Sequence, residues 1–260
     1  MTLVEGICVE REGDIVTIRL DKPKRHNPIS FAMWQSLEAV FRGLASDHSL
    51  RGVILTGNGK SFSAGADIAD FDETRGTPEQ GINYEASVDA ACDAITALGV
   101  PVIAAIRGYC YGGACNLAMA CDFRFVSPEA RFAIPAAKLS IVYSARGMTR
   151  LVSLVGVSEA KRIFFTAGTI DAERAITNGF ADELSNDPVA SAFAWFGAIT
   201  HLAPLSIAGS KAILNMAAMT DKPFDAALAH NVTYRALTSA DYREGRRAFA
   251  EKRSPRFTGE

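Results

Sequence analysis

A strand, a glycine turn and a helix follow one another within residues 102–122, VIAAIRGYCYGGACNLAMACD, and this order limits the possible folds more than any other feature of the chain. The apolar, β-branched run Val102–Ile106 predicts a buried strand, and the small apolar residues Ala114–Ala120 predict a buried helix. Between them lie Gly112 and Gly113, where the helix start exposes free backbone N–H groups and the positive end of the helix dipole. Such a turn suits a negative charge, although a glycine pair alone more often marks tight helix–strand packing.

A second unit of the same kind precedes it in the chain. The apolar run Gly52–Thr56 predicts a strand, and the segment KSFSAGADI, residues 60–68, leads through Gly65 to Asp67, a residue typical of helix starts. If the two turns converge, their N–H groups form an oxyanion hole, which is a pair of donors aimed at one oxygen that gains negative charge. Because backbone donors require no particular side chain, this pattern alone identifies no substrate.

Hydrophobic periodicity predicts further elements on either side of these units. We expect short strands at Gly6–Glu10 and Ile15–Leu20, followed by a helix over Phe31–Leu44 with Ser30 as its N-cap. Another helix is expected over Asn83–Leu98, directly before the strand that precedes the glycine pair. From about residue 190 onward the chain shows only helical patterns.

Three motifs together resemble the enoyl-CoA hydratase/isomerase (crotonase) family. They are SFSAGADI at 61–68, PVIAAIRGYCYGGACNLAMACD at 101–122 and REGRRAFAEKRSPRF at 243–257, in the order and at the separations that the family uses. The resemblance covers nearly the whole chain, and it implies an α/β fold, a crotonase-like superhelix of ββα units with a C-terminal helical extension. We therefore expect residues 1–190 to form the ββα core and residues 191–260 to form a helical region that mediates trimerisation.

Composition and charge exclude several other classes of function. The 260 residues are 48% hydrophobic and 22% charged with a net charge of −2, which is typical of a soluble globular protein without a nucleic-acid-binding bias. The N-terminal segment MTLVEGICVEREGD is acidic and lacks a long apolar core, so we expect no signal peptide, and no uninterrupted apolar run is long enough to span a bilayer. Its five cysteines contain no C-x-x-C pair, and its four histidines lack metal-ligand spacing. We expect a cytoplasmic protein with reduced thiols, no metal, and no nucleic-acid or membrane partner.

Carried over from the family by alignment, the oxyanion hole falls on the backbone N–H groups of Ala66 and Gly113. They would hold the thioester oxygen of an acyl-CoA while the α-carbon loses a proton or a carboxylate and an enolate forms. One such donor is typically worth about 3–4 kcal/mol of transition-state stabilisation. The resemblance implies coenzyme A only as part of the substrate, with no permanently bound cofactor.

The chain departs from the family at the two positions that matter most for hydration. Family hydratases use two glutamates to handle water and its protons, and the matching positions here are Asn116 and Ala136. Neither side chain exchanges a proton at neutral pH, and general acid–base groups commonly contribute about 100- to 10,000-fold each. We therefore expect hydration of an enoyl-CoA to be very slow or absent, and isomerisation by a single glutamate to fail unless another carboxylate reaches the site. Asn116 stays a candidate for hydrogen bonding to substrate or water.

Two other polar residues are candidates for the missing chemistry. The segment FAIPAAKLSIVYS, residues 132–144, is similar to that of methylmalonyl-CoA decarboxylases, which also have a tyrosine at the position of Tyr143. Decarboxylation needs no general base, and a tyrosine hydroxyl could orient the departing carboxylate; the alternative is an aromatic wall of the acyl pocket. Those decarboxylases have a histidine where Ala66 stands, so the match is partial. Arg146 could bind a substrate carboxylate, or it could be a surface or trimer-contact residue.

The resemblance also implies which residues contact coenzyme A. The loop with Lys24, Arg25 and His26 would lie beside the phosphates and ribose, although the loop pattern alone favours a solvated segment. Phe249 and Lys252 would lie near the adenine, often in a neighbouring subunit, which implies a homotrimer or a dimer of trimers. The full set of expected acyl-CoA contacts is Lys24, Arg25, His26, Ala64, Ala66, Asp67, Ile68, Gly112, Gly113, Ala136, Arg146, Phe249 and Lys252.

Three hypotheses about function remain open from the sequence. The chain is an acyl-CoA enzyme that uses enolate stabilisation for decarboxylase-like or other lyase or isomerase chemistry, or it is a hydratase or isomerase with unrecognised acid–base groups. The third hypothesis is a non-catalytic acyl-CoA-binding protein, because both glutamates are also expected to be absent from a family member that has lost its catalytic activity.

Overall fold

A computed structural model of the chain describes residues 5–218 and 225–260. The strands are β1 (Ile7–Glu12), β2 (Ile15–Leu20), β3 (Gly52–Gly57), β4 (Val102–Ile106), β5 (Tyr109–Tyr111), β6 (Phe123–Val126), β7 (Arg131–Ala133), β8 (Thr169–Asp171) and β9 (Glu183–Leu184). The helices are α1 (Phe31–Leu44), α2 (Phe71–Thr74), α3 (Pro78–Ala97), α4 (Gly113–Ala120), α5 (Ala145–Thr166), α6 (Ala172–Thr177), α7 (Pro188–Ile199), α8 (Pro204–Ala218), α9 (Ala226–Thr238) and α10 (Ala240–Ala250).

The strands form two sheets, and from β4 to β7 the chain alternates between them. The larger sheet has the order β1-β2-β3-β4-β6-β9, antiparallel between β1 and β2 and parallel elsewhere, and the smaller sheet has the order β5-β7-β8. Strand β4 of the larger sheet is followed by β5 of the smaller sheet and then by α4, and β6 and β7 lead in the same way to α5. Each such unit is a ββα turn, so the predicted fold class is confirmed.

The larger sheet is covered on both faces, which explains why all five residues of β4 are buried and apolar. One face packs against the main core, which includes residues of α1, α3 and α4. The other face packs against α7, where Phe196 joins Ile54 and Ile103 in a second buried cluster. Helix α7 begins before the predicted boundary at residue 190 and belongs by its packing to the sheet.

The remaining C-terminal helices follow α7 around the core. Beyond α7 every element in the described part of the chain is a helix, as the sequence patterns predict. Lys211 of α8 is buried, and its Nζ donates to the Val100 carbonyl at 2.9 Å and to Asp122 at 2.7 Å, which joins α8 to the start of β4. Among the described helices none is by itself long and apolar enough to cross a membrane, and α7 with α8, bent by 117°, meets that criterion only as a pair.

Candidate active site

The turn before α4 provides the first of the predicted backbone donors. Gly112 has φ 56° and ψ −123°, a conformation that favours glycine, and its N–H donates to the Ala133 carbonyl at 2.8 Å. This hydrogen bond fixes the turn against β7, and α4 begins at the next residue. The N–H of Gly113 donates no hydrogen bond within residues 5–218 and 225–260. It is therefore a free donor at the N-terminus of a buried helix.

The second predicted donor lies in the loop that follows β3. Ile29 donates to the Gly65 carbonyl at 2.8 Å and accepts from the Asp67 N–H at 2.9 Å, so Ala66 is held between two backbone hydrogen bonds. Its own N–H has no acceptor in the described part of the chain. Gly65 has φ +97°, and a Cβ there would lie 2.5 Å from the Tyr111 carbonyl oxygen. Only glycine lets this loop approach the turn before α4 so closely, which brings the two donor segments together.

Both donor residues line one cavity of about 120 Å³, which is partly open to solvent. Most of its wall is apolar, which suits an acyl chain. Five side chains bring polar atoms to the wall: Arg75, Tyr84, Glu85, Asn116 and Tyr143. The rest of the lining is Trp34, Ala64, Gly65, Ala66, Ile68, Phe71, Val88, Gly112, Gly113, Pro135, Ala136, Leu139 and Ile141.

A buried hydrogen bond between α1 and α3 forms one side of the cavity. Trp34 donates from Nε1 to the Tyr84 hydroxyl at 2.9 Å, and both side chains are almost completely buried. The Trp34 ring also lies against Gly113, where an added Cβ would be 2.9 Å from ring carbon Cζ2. Tight packing and an exposed donor, the two alternatives for this glycine, are therefore present at the same residue.

Asn116 lies one helical turn after Gly113 and is buried in the cavity wall. Arg150 approaches its Oδ1 from Nη1 at 3.4 Å. Because a guanidinium only donates, the side-chain oxygen must face Arg150, and the Nδ2 amino group remains as a donor. That amino group has no acceptor among the residues that the structure describes. The Asn116 side chain therefore presents a donor, and not an acceptor, at this position.

Tyr143 places an unpaired hydroxyl at the cavity. Its Oη would lie 3.7 Å from a Cβ on Gly112, and its ring packs edge to face against Phe164 with centroids 5.3 Å apart. The hydroxyl makes no hydrogen bond within the two described segments. Burial raises the pKa of Tyr143 well above its ordinary value, so the hydroxyl stays neutral and can donate or accept.

Glu85 is a carboxylate at this cavity that the motif comparison does not indicate. Its Oε1 accepts from Arg75 Nη2 at 2.8 Å, and the Arg75 guanidinium lies 3.8 Å from the centre of the Tyr84 ring. Burial raises the pKa of Glu85 above its ordinary value, against the opposing effect of Arg75. The only signal in the sequence is helical spacing, since Glu85 lies one turn before the buried Val88 on α3.

Ala136, the second position at which a carboxylate would be needed for hydration, also lies at the cavity. It lies in the 3₁₀ turn Pro135–Lys138 after β7, is 3% exposed and lines the cavity. Its methyl group contributes to the apolar wall and can move no proton.

The predicted phosphate-binding loop is built differently from the expectation. Arg25 forms a two-pronged ion pair with Asp67, at 3.0 Å and 2.6 Å, so its guanidinium is already paired. Asp67 also accepts from the Ala69 N–H at 3.3 Å, which confirms it as an N-cap. His26 has φ 59° and contacts Ser61 Oγ at 3.0 Å. Lys24 is exposed and forms no ion pair within the described segments, so its ammonium group remains available for an anion.

Arg146 lies outside the cavity wall in the described chain. The structure pairs it with Asp93 on α3, and Asp93 also accepts from Arg150 at 2.6 Å. This ion pair joins α5 to α3, and a contact of Arg146 with a substrate carboxylate stays a prediction.

The remaining predicted contacts divide between the cavity and the surface. Ala64 and Ile68 line the cavity on either side of Ala66. Phe249 is 88% exposed and Lys252 is also exposed, on α10 and just after it, and neither belongs to the cavity wall. Their contact with an adenine in a neighbouring subunit stays a prediction. In residues 5–218 and 225–260, no three His, Cys, Asp or Glu side chains are placed to share a metal ion.

Comparison with known proteins agrees with this architecture. The family model described as "Enoyl-CoA hydratase/isomerase" matches residues 10–260. A probable enoyl-CoA hydratase of Mycobacterium tuberculosis, echA6, is 33% identical over 97% of this chain and 99% of its own length. A short-chain-enoyl-CoA hydratase of Clostridium acetobutylicum is 30% identical over 96% of both chains. The crystal structure of an enoyl-CoA hydratase/carnithine racemase from Magnetospirillum magneticum superposes with a TM-score of 0.91 at 34% identity, over 99% of this chain and 97% of that one.

The family match therefore extends over the alternating sheets, the glycine turn before α4 and the C-terminal helices alike. Members of this family act on acyl-CoA thioesters. On the agreement of sequence, fold and relatives, the chain belongs to the enoyl-CoA hydratase/isomerase family, and its predicted membership is confirmed.

Proposed function

We propose that this protein binds an acyl-CoA thioester and stabilises its enolate between the backbone N–H groups of Ala66 and Gly113. The observation that supports this most is that both amides lack an acceptor within the described residues and line the same, mostly apolar cavity. Donors fixed in advance in such a site stabilise developing negative charge without reorganising. The thioester oxygen is the atom on which that charge develops.

The proposed reaction is not efficient hydration, because the cavity has no carboxylate at Asn116 or Ala136. We favour decarboxylase-like chemistry, in which the bond from the α-carbon to a carboxylate breaks and CO₂ leaves. The electron pair of that bond forms the enolate, whose oxygen the two amides hold. In this proposal the Tyr143 hydroxyl orients the carboxylate before it leaves, and water or a cavity side chain returns a proton to the α-carbon.

A substrate panel with a matched pair of variants tests this proposal. The purified full chain is given crotonyl-CoA, malonyl-CoA and methylmalonyl-CoA, and loss of the enoyl absorbance and release of CO₂ are measured. We expect CO₂ from a malonyl-type ester and little hydration of crotonyl-CoA. Hydration at rates ordinary for family hydratases contradicts the proposal, and tight binding with no turnover would identify a non-catalytic acyl-CoA-binding protein instead.

The variants Gly113→Ala and Gly113→Pro isolate the donor itself. Both add a Cβ beside Trp34, but only proline also removes the N–H, and proline is tolerated at the first position of a helix. We expect kcat of Gly113→Pro to be about 100- to 1000-fold below that of Gly113→Ala. Equal and measurable activity of the two variants, both shown by circular dichroism to be folded, would show that this N–H does not stabilise the reaction.

A second candidate function rests on Glu85, the carboxylate that reaches the cavity on α3. A single carboxylate can move a double bond by taking a proton from C2 of a 3-enoyl-CoA and returning it at C4, through a dienolate that the same two amides would hold. This gives a 2-enoyl-CoA without any net gain or loss of atoms. It would be isomerase chemistry with an acid–base group that the family motifs do not indicate.

Conversion of a 3-enoyl-CoA to its 2-enoyl isomer tests this second candidate. We expect Glu85→Gln to lower the rate at least about 100-fold, in line with the usual contribution of a general base. Glu73→Gln, which changes an exposed glutamate outside the cavity wall, is the control. Absence of isomerisation by the wild-type protein, or an unchanged rate in Glu85→Gln, removes this candidate.

We also propose that the chain assembles as a trimer or a dimer of trimers through its C-terminal region. Helix α9 buries none of its residues in the single chain, and Leu228, Tyr234 and Leu237 are exposed on it. Light scattering of the purified protein should give three or six times the mass of one chain, and a monomer would contradict the proposal.

A further inference from the structure

The polar atoms that face the cavity are mainly hydrogen-bond donors. Two are the amides of Ala66 and Gly113, a third is the amino group of Asn116, and the Tyr143 hydroxyl can also donate. Glu85 is the single carboxylate in the described cavity wall, and its Oε1 is occupied by Arg75. The cavity therefore has an excess of donors, and a complementary ligand must bring acceptors.

A buried network of hydrogen bonds fixes the orientation of the Asn116 side-chain amide. Arg150, which is 4% exposed, faces the Asn116 oxygen and donates from Nη2 to Asp93 at 2.6 Å. Its other terminal nitrogen lies 3.9 Å from Asp89, which also accepts from Ser144 at 2.8 Å. A side chain held on two sides by carboxylates keeps its donors toward Asn116. The amino group of Asn116, in a residue only 2% exposed, is left for the cavity.

A plain alkyl chain in this cavity would cover that amino group and leave it without an acceptor. A buried donor without a partner loses its hydration and gains nothing in return, so such a ligand is disfavoured. An acyl group with an oxygen at the right place would satisfy it. Because Asn116 follows Gly113 by three residues, the two residues lie one turn apart on the same face of α4.

We propose that Asn116, positioned by Arg150, recognises an sp² oxygen attached through C3 of the acyl group, so that the preferred ligands are thioesters with a 1,3-dicarbonyl unit. The oxygen belongs either to the free carboxylate of a malonyl-type thioester or to the ketone of a 3-oxoacyl thioester. One oxygen of the unit is the thioester oxygen at the Gly113 amide, and the other reaches the Asn116 amino group one helical turn later. This inference rests on the proposed function, since it assumes that the thioester oxygen lies at the two amides.

Calorimetric titration with three esters of similar length tests the inference. Acetoacetyl-CoA and malonyl-CoA each have the second oxygen, and butyryl-CoA lacks it. We expect the wild-type protein to bind at least one of the first two about tenfold more tightly than butyryl-CoA, the gain from one well-placed hydrogen bond. Preference for malonyl-CoA alone identifies the carboxylate as the source, and preference for acetoacetyl-CoA alone identifies the ketone.

Variants distinguish a loss of recognition of the second oxygen from a general weakening of ester binding. Asn116→Asp keeps the shape and the contact with Arg150 but replaces the donor with an acceptor, so the tenfold preference for the esters with a second oxygen over butyryl-CoA should disappear. Arg150→Lys should reduce the same ratio, whereas a merely structural Arg150 would weaken all three esters alike. Asn83→Asp, which adds the same charge at an exposed position of α3, is the control and should keep the preference.

The outcomes distinguish this inference from the proposal on which it rests. If the wild-type protein binds the three esters with equal affinity, or if Asn116→Asp keeps the preference, the inference is overturned while acyl-CoA binding stands. If none of the three esters binds, the proposed function fails and the inference fails with it.

Discussion

At the scale of single residues, Gly113 shows how one position can meet two demands. The Trp34 ring leaves no room for a side chain there, and the backbone N–H is unpaired in the described chain. A larger residue would push α1 away from α4, so packing alone already requires glycine. The donor is then available without any further change in the chain, since the first N–H groups of a helix have no partner inside it.

For Tyr143 we predict that removal of the hydroxyl lowers activity but hardly changes stability. Because its hydroxyl has no partner in the described residues, Tyr143→Phe should change the free energy of unfolding by less than about 0.5 kcal/mol. We expect the same change to lower CO₂ release from a malonyl-type ester about tenfold, because the carboxylate loses the group that orients it. Urea unfolding and a CO₂ assay on the same preparation measure the two effects. Full activity of Tyr143→Phe would make Tyr143 an aromatic wall of the pocket and nothing more.

Glu85 leads to a prediction about pH. A general base works as the ionised carboxylate, and burial raises the pKa of Glu85 above its ordinary value of 4.5. The rate of 3-enoyl-CoA isomerisation should therefore fall, as pH is lowered, with a midpoint above 4.5. Arg75 lowers the pKa of Glu85, so Arg75→Met should move the midpoint to a still higher pH.

The pH profile of kcat/KM for wild-type protein and Arg75→Met is the measurement, because it reports groups of the free enzyme. An acid limb at or below 4.5, or one that does not move in Arg75→Met, would exclude Glu85 as the base.

Alignment of motifs could predict the substituted positions Asn116 and Ala136, and both line the cavity as expected. It could not indicate Glu85, because a glutamate on an amphipathic helix is usually a solvated residue and belongs to no motif. Alignment also could not show how Arg25 and Arg146, two of the residues for which the resemblance implies a contact with the acyl-CoA, are paired in the fold. Their carboxylate partners, Asp67 and Asp93, are distant in sequence, so only the fold shows that both cations are already paired.

At the scale of elements, α1 and α3 are held together beside the cavity by the hydrogen bond from Trp34 to Tyr84. We expect Tyr84→Phe to lower the free energy of unfolding by about 1–3 kcal/mol, because it leaves a buried indole N–H without an acceptor. Tyr234→Phe, at an exposed position on α9, is the matched control and should change stability little. Urea unfolding measures both, and equal stability of the two variants would show that this hydrogen bond contributes little.

Element boundaries were predictable where side chains mark them. Helix α1 begins and ends as predicted, with Ser30 accepting from the Met33 N–H. Helix α3 begins at Pro78, five residues before the predicted start, because Thr77 and Gln80 form a reciprocal capping box with proline at the first position. This capping sequence lies within a polar stretch, so the first turn of the helix resembles a loop in the sequence.

At the scale of the whole molecule, the family resemblance made the fold class predictable. The boundary between the ββα core and the C-terminal helical region was harder to predict. Helix α7 has the same apolar helical pattern as the helices after it, so its sequence does not show that Phe196 packs under the sheet. The sequence also does not show that Lys211 is buried, because lysine rarely is. In the fold Lys211 joins α8 to the core through Asp122.

Breaking that link should weaken the attachment of the C-terminal region. We expect Lys211→Met to lower the free energy of unfolding by up to about 3 kcal/mol, because it leaves the partly buried Asp122 carboxylate without its cation. Lys161→Met, at an exposed position of α5, is the control. Urea unfolding compares the two, and a Lys211→Met protein as stable as the control would show that the ion pair does not anchor α8.

The most direct test of the account is the crystal structure of the protein with acetoacetyl-CoA bound. We predict the thioester oxygen about 2.7–3.1 Å from the backbone nitrogens of both Ala66 and Gly113, with the acyl group in the cavity beside Asn116. A thioester oxygen that contacts neither amide, or an acyl group bound outside this cavity, would contradict the account.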